Sequence, residues 1–191
     1  MRKDFYIFRH GETAFNAQRR MQGSGTDMGL TELGKKQAFD LAEKLCPCGV
    51  EAVFSSPLKR ALETAEVVAC AAKCDVFVKN DLRECFYGDA EGMLVKRVCE
   101  KFSDVYKNWN DPEVWDIAYP NGESKRTALH RIWFQIEELK QQPYQIMGIA
   151  MHGGTMASLL NFLHHSFKEI PNCAVIHLVY DNDWYIDGDL F

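Results

Sequence analysis

The sequence predicts a layered α/β domain whose mainly parallel sheet, of roughly five or six strands, carries an antiparallel strand at its edge. Three observations predict it. Short apolar runs recur along the chain: Phe5-Tyr6-Ile7-Phe8, Ala52-Val53-Phe54-Ser55, Val76-Phe77-Val78, Gln145 to Met151 and Ala174 to Tyr180. Longer stretches with apolar residues at helical spacing separate most of them. Asp181-Asn182-Asp183 is turn chemistry, so Trp184 to Ile186 returns antiparallel.

Each element has a local reason. Phe5 and Ile7 alternate with Tyr6 and Phe8, and Gly11 is expected to end that strand by permitting a turn that other residues resist. Gln18 to Gly29 is polar and glycine-containing, hence a loop. Thr31 caps a helix running to about Leu45, with Ala38, Leu41, Ala42 and Leu45 on one face. Ser56-Pro57 opens the next helix with proline in its first turn, placing Arg60 there too, above the stripe Ala61, Ala65, Val68 and Ala72. After the third strand comes the loop Asn80 to Glu84. Residues 91–107 read as helix and 108–122 as irregular. Ser124 caps a helix to Leu139 with inner face Ala128, Ile132, Ile136 and Leu139, and Thr155 to Leu163 forms another after His152-Gly153.

The chain has 191 residues, 47% hydrophobic and 26% charged, enough to bury a core as one domain over 1–191. A formal charge of −5 argues against nucleic acid or an anionic membrane as partner. Met1-Arg2-Lys3 leads straight into the first strand with no apolar leader or span, so a cytoplasmic protein is expected. Seven cysteines without a secretory signal are expected to be reduced. Cys46, Cys48, Cys70 and Cys74 fit a zinc site poorly, because Cys-Pro-Cys is tighter than the usual spacing; whether they bind a metal stays open.

The functional reading comes from superposing these elements. Arg9-His10, Arg60, Glu84 and His152 each fall at or just after the carboxyl end of a different strand, where ligands bind in open α/β sheets. Two arginines and two histidines around one cavity make an anion site, and arginine forks onto phosphate oxygens. A neutral histidine can attack phosphorus and form a covalent intermediate. Arg9, Arg60 and a protonated His152 would stabilise the transferring group, while Glu84 would protonate the departing alkoxide and deprotonate water. The chain lacks both a carboxylate cluster for magnesium and a Gly-x-x-x-x-Gly-Lys loop, which disfavours metal-dependent and nucleotide-driven routes.

Ordered blocks then carry a resemblance: Arg9-His10-Gly11-Glu12-Thr13 with Asn16; Gln22-Gly23; Leu30 to Gly34; Ser55 to Ala61 with Thr64-Ala65; Leu82-Arg83-Glu84 with Gly88 and Glu91-Gly92; and His152-Gly153. Together they resemble the histidine phosphatase superfamily, the phosphoglycerate mutase-like family, over nearly the whole chain. The resemblance implies a three-layer α/β/α sandwich. It makes His10 the phosphate acceptor and Glu84 the proton donor. Arg9, Arg60, His152 and Gly153 would form the phosphate pocket, Asn16 would be a further contact, and Gln22-Gly23 would lie in a lining loop. It implies no metal and no organic cofactor, although true mutases need a phosphorylated primer.

Within that family, Gly29 replaces a common proline, which suggests a more mobile loop, and Ala90 replaces a bulkier residue, which suggests a roomier pocket. Mutases of glycolysis are longer, and residues 102–119 are more aromatic than basic, suiting a substrate with an apolar or ring portion. The run Tyr119 to Ser124 resembles the Pro-Gly-Glu-Ser stretch of α-ribazole phosphatases. The expectation is a metal-independent phosphomonoesterase for a small phosphorylated metabolite, with residues 91–123 as a lid insertion. The alternatives are a cofactor-dependent phosphoglycerate mutase and a non-catalytic phospholigand-binding protein. A homodimer is left open.

Overall fold

The computed structural model describes residues 2–109 and 111–191. Its sheet has six strands in the order β3-β2-β4-β1-β5-β6. They are β1 (Lys3–Arg9), β2 (Ala52–Ser55), β3 (Asp75–Val78), β4 (Ile146–Met151), β5 (Val175–Asp181) and β6 (Asp183–Ile186). The pairs β1–β4, β2–β4 and β2–β3 are parallel, and β1–β5 and β5–β6 are antiparallel. Antiparallel pairing thus begins one strand further in than the turn at Asp181-Asn182-Asp183 indicates.

The helices are α1 (Ala14–Ala17), α2 (Glu32–Leu45), α3 (Lys59–Ala72), α4 (Val95–Lys101), α5 (Ser103–Asn108), α6 (Lys125–Leu139) and α7 (Gly153–Phe162). Two of them cover each face of the sheet. Leu41 and Leu45 of α2 and Ala65 and Val68 of α3 pack with Phe8, Val53 and Ala150. On the other face, Ile132 and Ile136 of α6 and Met156 and Leu160 of α7 pack with Phe5, Ile7, Phe54 and Ile149. The result is a three-layer α/β/α sandwich, and strands buried on both sides explain why β1 and β4 read as near-continuous apolar runs.

The predicted caps form. Thr31 Oγ1 accepts from Gly34 N at 3.0 Å, and Ser124 Oγ accepts from Thr127 N at 3.1 Å. The start of α3 differs from expectation. It begins at Lys59, beyond Pro57, and Asp27 Oδ1 from the preceding long loop accepts from Lys59 N at 2.7 Å. The helix expected over 91–107 is two short helices. They part at Phe102 (φ −126°, ψ 45°), whose ring turns inward to sit 5.8 Å from that of Tyr119. The stretch expected to be irregular is so, among its described residues, beyond Asn108 at the end of α5, and its Trp109 and Tyr119 join Tyr87 and Ala128 in a small third core; Asn110 within it lies outside the described residues, as does Met1.

Two glycine expectations change. Gly11 does not adopt a left-handed turn; a Cβ there would lie 2.4 Å from the carbonyl oxygen of Gly34, so close backbone approach is what demands glycine. At Gly29 a Cβ would meet the Glu63 carboxylate, which accepts from Leu30 N at 2.8 Å, so this loop is tied to α3. No helix among the described residues is long and apolar enough to cross a membrane. All seven cysteines are free, and no three His, Cys, Asp or Glu residues among those described are grouped to hold a metal.

Candidate active site

The parallel strands end together, and their ends supply the site. β1 delivers Arg9 and His10, β4 delivers His152, and the segments after β2 and β3 deliver Arg60 and Glu84. Arg9 pairs with Met151 in register, and His10 N donates to Met151 O at 3.1 Å, so the two histidines leave adjacent strands side by side. Their ring centroids are 5.3 Å apart at 57°. The hydroxyl of Thr64 in α3 joins neighbouring pieces, donating to Arg60 O at 2.7 Å and accepting from Gly11 N at 3.0 Å.

Hydrogen bonding sets the state of each imidazole. His10 Nδ1 lies 2.7 Å from Gly11 O, and a carbonyl only accepts, so Nδ1 carries the proton and Nε2 keeps its lone pair. His152 Nε2 lies 2.8 Å from Ser56 Oγ, which itself accepts from Leu58 N at 3.3 Å. The Ser56 hydroxyl can donate to His152 Nε2, which places the proton of a neutral ring on Nδ1, an atom with no protein partner. Burial, reinforced by the charges of Arg9 and Arg60, holds His10 well below the ordinary histidine value of 6.5. His152 is depressed by burial first and then by Arg60. Burial and Arg60 thus oppose the charge that the sequence reading expects on His152. A phosphate dianion between the rings would raise it again.

The guanidinium groups are held from behind. Arg9 Nη1 donates to Ile170 O at 2.6 Å; Arg60 Nη1 and Nη2 donate to Thr26 O at 2.9 Å and Gly23 O at 3.0 Å. Burial pulls Arg60 down to about 10 and pulls Arg9 below its usual value, while a guanidinium keeps its charge in proteins. Gly23 thus supports Arg60 instead of lining the cavity. Gln22 does line it, its Oε1 accepting from Thr13 Oγ1 at 2.7 Å. Asn16 also lines it, with Oδ1 receiving Asn172 Nδ2 at 3.2 Å. Gly153 brings the first turn of α7 against Arg9, a Cβ there lying 3.2 Å from Nε.

Glu84 sits at the start of α7. Its Oε1 accepts from Cys85 N at 2.9 Å and Thr155 N at 3.0 Å, and its Oε2 accepts from Gly154 N at 2.9 Å. Those bonds and Arg60 favour the carboxylate, but full burial outweighs them and raises Glu84 above its ordinary 4.5. Such a group can hold a proton for a leaving group. Arg131 of α6, which the sequence reading missed, donates to the carbonyls of Asp81, Arg83 and Glu84 at 2.7, 2.6 and 3.0 Å. Tyr87 was also missed. It lines the cavity, and a Cβ on Gly154 would collide with its hydroxyl and lie 3.0 Å from Glu84 Oε1.

His10, Arg9 and Glu84 open into a cavity of about 640 Å³; Arg60 and His152 are fully buried and do not line it. Tyr87, Trp109 and Tyr119 also line it, whereas Trp115 lies elsewhere, under Lys125 Nζ at 4.4 Å. Ala90 is buried in the third core and does not line the cavity, so its small size does not widen it.

The family model of the histidine phosphatase superfamily (branch 1) matches residues 5–186. The chain belongs to this superfamily. Among its histidine phosphatase relatives, the Escherichia coli K12 protein named probable phosphoglycerate mutase GpmB is 35% identical over 194 residues, covering 96% of this chain and 88% of its own. A mycobacterial glucosyl-3-phosphoglycerate phosphatase solved with VO3 superposes with a TM-score of 0.85 at 26% identity over 97% of both chains. A Bacillus anthracis phosphoglycerate mutase shares the fold, with a TM-score of 0.88 at 22% identity over 98% of this chain and 92% of its own.

Proposed function

We propose that the protein is a metal-independent phosphomonoesterase acting on a small phosphorylated metabolite through a phosphohistidine. The observation that carries this reading is His10, whose Nδ1 faces Gly11 O and leaves Nε2 for attack, opening with Arg9 and a protonatable Glu84 into the same cavity and feeling the charges of Arg9 and Arg60. His10 Nε2 attacks phosphorus and the P–O bond to the alcohol breaks as Glu84 gives its proton to the departing oxygen. Water then attacks phosphorus, Glu84 takes its proton, and the imidazole leaves. Arg9, Arg60 and the His152 N–H hold the equatorial oxygens throughout.

The neighbour named glucosyl-3-phosphoglycerate phosphatase supports hydrolysis; the relatives named probable phosphoglycerate mutase favour the second reading, in which a substrate hydroxyl replaces water. Turnover of p-nitrophenyl phosphate in excess chelator tests the proposal. Activity that persists there, is blocked by vanadate and is lost in His10→Ala supports it. A folded but inactive wild type would favour a phospholigand-binding protein. Interconversion of 2- and 3-phosphoglycerate with primer, without net phosphate release, would favour the mutase.

A further inference from the structure

Among the described residues, six buried side-chain polar atoms lack a hydrogen-bond partner: Arg9 Nε, Gln22 Nε2, Arg60 Nε, His152 Nδ1, Trp109 Nε1 and Tyr119 Oη. Buried donors are rarely left unpaired, and such groups mark where a ligand completes the structure. The first four belong to the proposed phosphoryl-binding residues, each held by the protein through another of its polar atoms. The last two lie together in the aromatic wall of the same cavity. Trp109 is 8% exposed and Tyr119 2%, with ring centroids 5.4 Å apart. Tyr87 joins them to the chemistry, its ring 5.3 Å from Trp109 and 5.8 Å from Tyr119, and its hydroxyl beside Gly154 at the Glu84 carboxyl.

The ester oxygen must face Glu84, so the alcohol half of the substrate extends toward this wall. A purely apolar group there would leave an indole N–H and a phenol O–H buried and unpaired, whereas a ring bearing hydroxyls offers both flat contact and acceptors. We propose that the aromatic end of the cavity is a subsite for a hydroxylated ring, a sugar or cyclitol, bound through Trp109 Nε1 and Tyr119 Oη. This deepens the phosphomonoesterase reading and rests on it.

The test compares kcat/KM for glucose 6-phosphate and myo-inositol 1-phosphate with that for cyclohexyl phosphate, a ring without hydroxyls. The wild type should favour the hydroxylated rings by roughly tenfold or more, and Tyr119→Phe and Trp109→Phe, which keep a ring and lose the donor, should each shrink that ratio roughly three- to tenfold through KM. Wild-type turnover of cyclohexyl phosphate with no gain for hydroxylated rings overturns the subsite alone, as would donors satisfied by water. A preference that survives in both variants overturns the assignment to these two atoms. Inactivity toward all three esters refutes the phosphomonoesterase reading with it.

Discussion

Arg131 forks onto both carboxylate oxygens of Glu123, Nε to Oε1 and Nη2 to Oε2, each at 2.8 Å. Its remaining donors reach the carbonyls that lead into Glu84, and Glu123 Oε2 also accepts from Phe86 N at 3.3 Å. The pair thus fastens both sides of Glu84 to α6.

Replacing Arg131 should therefore weaken proton donation more than phosphorus attack. In Arg131→Met, kcat for an alkyl phosphate should fall roughly ten- to hundredfold, while p-nitrophenyl phosphate, whose leaving group needs little protonation, loses far less. A plot of log kcat against leaving-group pKa should steepen. Equal losses on both esters would mean that Arg131 serves stability alone.

Ser56→Ala removes the hydroxyl that bonds His152 Nε2 and so favours the Nδ1–H tautomer if it donates. The free N–H can then move to Nε2, and kcat should fall roughly tenfold with little change in KM. Nitrogen chemical shifts of His152 would show the tautomers mixing. A single unchanged tautomer would contradict the role given to Ser56.

The pH dependence follows from three buried groups. His10 must be neutral to attack, so the acid limb of kcat/KM should lie below 6.5; Glu84 must be protonated, so an alkaline limb above 4.5 should vanish in Glu84→Gln, measured on an activated aryl ester. Stability has its own signs. As pH falls below 6.5 the unfolded chain binds protons on His10 and His152 that the folded chain refuses, so stability drops. Glu84 acts oppositely, its contribution being present below 4.5 and lost as pH rises through its elevated value. Denaturant titrations at pH 7 and 5.5 should show a smaller acid loss in His10→Gln/His152→Gln than in wild type.

Gly11→Ala would set a methyl 2.4 Å from Gly34 O, which is backbone and cannot swing aside. The substitution should cost roughly 1–3 kcal/mol and lower Tm by several degrees. Thermal melts decide this, and an unchanged Tm would show that the loop yields freely.

Much of the site was legible because its groups follow strands in the chain, and a residue just past a strand is placed by the strand itself. Arg9 at the last position of β1, and His10 and His152 one position past β1 and β4, obey that rule, and Glu84 follows β3 after one short loop. Arg131 and Glu123 do not, because one looks like a solvated helix residue and the other like a loop acid until the fold puts them together. Asp27 capping α3 is hidden for the same reason. The direction of β5 was not legible either, since a buried strand reads alike in both directions and only packing chooses its neighbour. Nor did helical spacing show that the helix expected over 91–107 would break into two at Phe102.

The reactive imidazoles are spaced by the hydrogen-bonded ladder between β1 and β4, while the wall that meets the alcohol comes from Tyr87, Trp109 and Tyr119 in connecting segments. Reactivity and selectivity are therefore inherited from separable parts of the polypeptide. Swapping residues 95–119 for a segment of another composition, with Glu84 to Tyr87 and Glu123 kept, should retune which ester is accepted without retiming the chemical step, a modularity open to evolution and to protein engineers alike.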